Sequence, residues 1–163
     1  MELDKIIDEI ILDIYPHMPS SGAWPFTMIK TDRNKFFGLK MDKTLFAPFQ
    51  LLVLIRTDFN GKDLLDYVKK SKEYKTIDAA MKNGFLEKYN KVICDEHKFH
   101  QWADKTTSLA IGLVAQTALQ KGLQIIPIET DLSILDANIG LRTKNLQAYQ
   151  LFDIYQIDPS FLA

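Results

Sequence analysis

Residues 100–141 read HQWADKTTSLAIGLVAQTALQKGLQIIPIETDLSILDANIGL. From about residue 98 to residue 123 no proline breaks a helical pattern, which predicts one long helix. Lys121-Gly122 closes it, with glycine where a left-handed cap is wanted. Residues 124–128 then form a short apolar segment containing Pro127, and residues 133–138 a short helix stopped by Gly140. Within the long helix Ala103, Ala110, Gly112, Ala115 and Ala118 are small, and they sit among Leu109, Ile111, Leu113 and Val114. A glycine inside a helix costs about 1 kcal/mol relative to alanine, so Gly112 calls for a packing reason. Either the helix runs through the middle of the domain, or it packs on its twin across a two-fold axis. The residues alone leave both open.

Working outward, Leu3, Ile6, Ile7, Ile10, Ile11 and Ile14 recur at helical spacing and predict an amphipathic first helix ended by Pro16 and Pro19. Residues 16–25 hold three prolines, two serines and a glycine, the composition of an irregular loop. Residues 26–30 alternate weakly, as a strand does. Residues 49–55 are short and nearly all apolar, as expected of a central strand covered on both faces. Asn60-Gly61 marks a turn, and residues 62–70 and 76–90 read as helices. Residues 148–157 are rich in aromatic and β-branched side chains and predict a strand. Helices outnumber strands without regular alternation. The expectation is an α+β fold, one small central sheet flanked by helices, in a single domain over residues 1–163.

A net charge of −1 gives no reason to expect nucleic acid or an anionic membrane as partner. The basic run Lys69, Lys70, Lys72 and Lys75 is interrupted by Glu73 and reads as a solvated helix face. The start Met1-Glu2-Leu3-Asp4-Lys5 lacks the basic and apolar regions of a signal peptide. The longest fully apolar run, residues 51–55, is too short to span a bilayer. With a lone Cys94, the expected setting is soluble and cytoplasmic. No glycine-rich dinucleotide fingerprint or phosphate-binding lysine loop is present. Cys94, His97, His100 and Asp104 have spacings that suit one helix face, but no second ligand cluster accompanies them, so no metal site is expected.

Trp102, Lys105, Leu109, Gly112, Gly122, Leu123, Pro127, Ile128 and Glu129 stand at spacings that resemble the nitroreductase family. In that family a long helix ends in Gly-Leu and is followed by a short strand and Pro-Ile-Glu-Gly. A helix like residues 134–137, closed here by Gly140-Leu141, comes next, and Pro19-Ser20-Ser21 is similar to an upstream Pro-Ser-Ser loop. The resemblance implies an α+β sandwich that is an obligate homodimer with FMN in the subunit interface. It puts Pro127, Ile128, Glu129 and Thr130 at the flavin ring, and Pro19, Ser20 and Ser21 near its dimethylbenzene side. Hydride then passes from NAD(P)H through the flavin to a nitroaromatic, quinone or similar small-molecule acceptor. The cofactor carries the chemistry, so no catalytic side chain is implied.

The chain departs from that family pattern in several places. The N-terminal Arg-x-Ser segment and the C-terminal basic arm that grips the flavin phosphate have no counterpart, Gly22-Ala23-Trp24-Pro25 follows the serines, and Thr130 stands where the family has glycine. Charge-assisted hydrogen bonds contribute about 1.5–3 kcal/mol each, so losing two or three weakens FMN binding by several decades unless other cations substitute. Arg33, Lys35 and Arg142 are the nearest candidates in sequence. Glu129 is also placed to cap the helix after it. The alternative expectation is therefore a degenerate, flavin-free homologue that keeps the dimeric scaffold as a binding or regulatory protein.

Overall fold

The computed structural model describes residues 2–14, 24–32, 49–58, 60–70, 72–129, 131–133, 140–158 and 160. In chain order the elements are α1 (Glu2–Asp13), β1 (Phe26–Asp32), β2 (Phe49–Arg56), α2 (Gly61–Lys70), α3 (Lys72–Thr76), α4 (Ala79–Ile93), α5 (Glu96–Gln120), β3 (Leu123–Pro127), a 3-10 turn (Arg142–Lys144) and β4 (Leu146–Gln156). The expected α+β class holds. Among the described residues four antiparallel strands form one sheet in the order β1-β2-β4-β3.

The two central strands explain the apolar sequence of β2. Phe49, Leu51 and Val53 on one face join Phe152 and Ile154 of β4, and α1 and α5 cover them with Ile7, Ile10, Ala110, Val114 and Ala118. Leu52 and Leu54 on the opposite face join Leu151, Ala148 and Leu141. A strand buried on both sides loses its alternation. The pairing shifts register between Val53 and Leu54, which face Gln150 and Ala148 and leave Tyr149 as an extra residue. This bulge turns Tyr149 toward α5, where its hydroxyl donates to Asp104 Oδ1 at 2.6 Å and lies 3.1 Å from Ser108 Oγ. Burial, with donation to Asp104 in the same direction, pushes the phenol up from its ordinary value, so it stays neutral and keeps donating.

The sheet also carries a buried polar pair that the sequence reading did not single out. Gln50 and Asp153 face each other across β2 and β4, and Gln50 Nε2 donates to Asp153 Oδ1 at 3.2 Å. Tyr155 donates to the other carboxylate oxygen at 3.3 Å. The Gln50–Asp153 bond opposes slip of β2 against β4, which would separate the pair, while Tyr155 holds the carboxylate from within β4.

α1 is fastened to β1 by charge as well as packing. Lys30 Nζ lies 2.5 Å from Asp4 Oδ1 and 2.8 Å from Asp8 Oδ2, one helical turn apart. The Asn60-Gly61 turn proves to be a helix start. Asn60 Oδ1 accepts from the Asp63 amide at 3.1 Å, and Asp63 Oδ2 accepts from the Asn60 amide at 3.2 Å, a reciprocal cap. α2 and α4 pack on each other around Leu64 and Val68, with Phe99 and Trp102 of α5 closing this smaller cluster. No helix among the described residues is long and apolar enough to cross a membrane.

Candidate functional site

The candidate site begins where α5 ends. The Lys121 amide donates to Thr117 and Ala118 carbonyls at 3.2 and 3.0 Å, and Gly122 follows at φ 77, in the left-handed region glycine alone enters without strain. Its carbonyl accepts from the Ile157 amide at 2.8 Å, which ties the turn to the end of β4. β3 then runs along the edge of β4 with Pro127 opposite Phe152. A proline ends an edge strand cheaply because it has no N–H to place.

Beyond Pro127 the backbone is clamped. The Ile128 amide donates to the Leu151 carbonyl at 2.9 Å, and the Gln150 side chain donates to the Ile128 and Leu151 carbonyls at 3.3 and 3.0 Å. The Ile128 side chain packs with Leu132 against Leu52, Leu54 and Leu151. Downstream, Asp131 Oδ1 accepts from the Ser133 amide at 3.0 Å and its hydroxyl at 2.6 Å. These bonds hold the Asp131 carboxyl below its ordinary value. Among the described residues it is Asp131 that makes a capping contact after the strand. The Asp-x-Ser spacing was the available signal. Gln150 gave none, since a polar residue in a strand does not show which carbonyl it meets.

Between these anchors Glu129 is exposed, and its amide finds no acceptor among the described residues. An exposed, pre-positioned N–H on a fixed backbone can donate to an acceptor atom of a bound molecule without reorganising. Leu141 roofs the same apolar cluster: Gly140 turns at φ 63, and the Leu146 amide returns to the Leu141 carbonyl at 2.9 Å.

Of the expected flavin contacts, Pro127, Ile128 and Glu129 are thus contiguous on one clamped strand end. Pro19, Ser20, Ser21 and Thr130 lie outside the described residues, as do Arg33, Lys35 and the side chain of Arg142. Donor type and rigidity at Glu129 fit the acceptor-rich edge of a flavin ring. Cys94 lies in the turn between α4 and α5, and the helical residues go separate ways: His97 meets Gln101 at 3.1 Å, His100 meets Glu96 at 3.6 Å and Asp104 serves Tyr149. Among the described residues no group of three or more such side chains is placed to hold a metal ion.

No family model matches the chain, and no curated protein does. Solved structures match it over nearly all its length. A nitroreductase family protein from Streptococcus pneumoniae superposes with a TM-score of 0.62 at 14% identity, covering 94% of this chain and 80% of that one. A nitroreductase-like protein from Streptococcus mutans gives 0.64 at 11% identity, covering 95% and 77%. Iodotyrosine deiodinase bound to FMN and 3-iodo-L-tyrosine gives 0.54 at 12% identity, covering 94% and 78%. The chain folds as the nitroreductases do.

Proposed function

We propose that the chain is a cytoplasmic, FMN-dependent oxidoreductase that works as a homodimer and passes hydride from NAD(P)H to a nitroaromatic, quinone or similar acceptor. The observation that carries this reading is the Glu129 amide, without an acceptor among the described residues and held between the Ile128 clamp and the Asp131 cap. When bound, FMN supplies the two-electron chemistry. Pro127, Ile128 and Glu129 would hold the edge of its ring, with Glu129 N–H as donor. Ile128 presents an apolar neighbour whose position is fixed by Leu132 and Leu151. Thr130, Pro19, Ser20 and Ser21 are proposed to complete the ring pocket. No side-chain acid or base is assigned.

The subunit contact is assigned to the outer face of α5. Leu119 is 52% exposed there, and a Cβ built on Gly112 meets nothing within 4 Å among the described residues. Packing among the described residues thus supplies no reason for that glycine, whereas a close partner helix would. The fold leaves the acceptor open, as one fold hosts many chemistries.

The test is the absorbance spectrum of the purified protein, before and after incubation with FMN and desalting. A retained flavin band that bleaches anaerobically on adding NADH or NADPH is expected. A protein that stays colourless and shows no heat of FMN binding overturns the reading and leaves the flavin-free scaffold.

A further inference from the structure

We propose that the cleft between α4 and α5 is a binding site for a small aromatic carboxylate. The cleft has a volume of about 260 Å³ and is formed by Lys88, Tyr89 and Val92 of α4 with Trp102, Lys105 and Leu109 of α5. Its residues follow from the helix hairpin. Phe99 stacks at a tilt on Trp102, with ring centroids 5.7 Å apart, and the pair fills the space near the turn. Further along, α4 carries no fully buried side chain, so the two helices leave a gap floored by Tyr89, Val92, Trp102 and Leu109.

Lys88 and Lys105 line this cleft as exposed residues, and neither makes an ion pair among the described residues. The acid next to Lys105, Asp104, is committed to the Tyr149 hydroxyl at 2.6 Å. Aromatic walls with unneutralised cations at the rim select a planar ring bearing a negative charge. Size narrows the class further. Ligand pockets usually span about 300–1,000 Å³, so this one suits one or two fused rings and is too small for a flavin or nicotinamide nucleotide. The site therefore does not depend on the flavin reading above.

The chain has two tryptophans, so 19F NMR of protein labelled with 5-fluorotryptophan reports Trp102 directly, with Trp24→Phe fixing the assignment. Titration with 2-naphthoate is expected to shift the Trp102 resonance saturably. The double variant Lys88→Gln/Lys105→Gln alters only exposed side chains and is expected to raise the Kd about ten-fold. The uncharged 2-naphthalenemethanol is expected to bind more weakly by a similar factor. A Trp102 signal that does not move, as it would not if a second copy of the chain covered the cleft, overturns the proposal. So does equal binding of the neutral probe, an unchanged Kd in the double variant, or displacement of naphthoate by FMN.

Discussion

Gly61 opens α2 at a place where no side chain fits. A Cβ built there would lie 2.5 Å from Ile93 Cγ2 and 3.1 Å from Ile93 Cβ. Ile93 is β-branched and stiff at χ1, so it cannot swing aside cheaply. Gly61→Ala should therefore destabilise the α2–α4 pair, by about 1–3 kcal/mol, despite alanine's better helix propensity. A urea titration reads this, and an unchanged midpoint would mean that the helices separate freely. The sequence marked this glycine only as part of a turn. The reason for it lies 32 residues away in sequence at Ile93, where no local pattern points. Gly122 and Gly140 were legible because a helix-ending glycine announces its own left-handed φ. Asn145, at φ 56, is a non-glycine residue in the same region, and its carbonyl accepts from Thr57 across the sheet end.

At the scale of elements, the ties between helices and sheet decide how stability responds to pH. Its hydrogen bond from Lys30 depresses the Asp4 carboxyl. Burial opposes the Lys30 charge, but bonds to Asp4 and Asp8 outweigh it and raise that pKa. A carboxylate with a lowered folded pKa contributes stability that is present above its unfolded value and lost as pH falls through the folded one. For Asp4 that loss begins below about pH 4. The raised ammonium contributes at all pH values below its unfolded pKa, so it adds nothing to the acid limb. Lys30→Met should flatten the acid limb of a melting-temperature profile, and an identical limb would show the staple to be idle. Tyr149→Phe should cost about 0.5–1.5 kcal/mol by thermal melting, since it removes the partly exposed hydroxyl contacts to Asp104 and Ser108 that tie the bulge to α5. Most elements were readable because their signals are local: stripes for α1, a doubly apolar run for β2, a cap for α5. The helix expected over 76–90 instead divides into the last residue of α3 and α4, which runs on to Ile93, parted by Ile77 and Asp78. The order β1-β2-β4-β3 was not readable, because strand choice depends on which faces α1 and α5 cover. The strand-end part of the candidate site was legible for the same local reason, while its Gln150 clamp spans 22 residues of sequence.

On the scale of the whole molecule, the sheet and helices α1–α5 leave an apolar strip at Leu119 on α5 exposed among the described residues. A twin helix across a two-fold axis accounts for both the strip and Gly112, and it would bring two copies of the Pro127-Ile128-Glu129 segment into one assembly. The variant Gly112→Glu/Leu119→Glu separates this from a helix that merely faces water. In a lone chain neither change should harm folding. Replacing a helix-interior glycine gains up to about 1 kcal/mol, and Leu119 is already half exposed. Across an interface the same changes bury four carboxylates without partners and block close approach of the backbones. Sedimentation equilibrium should therefore give the wild type twice the mass of the variant, with circular dichroism unchanged. Flavin retention after desalting should fall in parallel if the ring lies between subunits. A wild-type monomer, or a variant that remains dimeric, would remove α5 as the contact, and flavin held equally by both would place the ring within one chain.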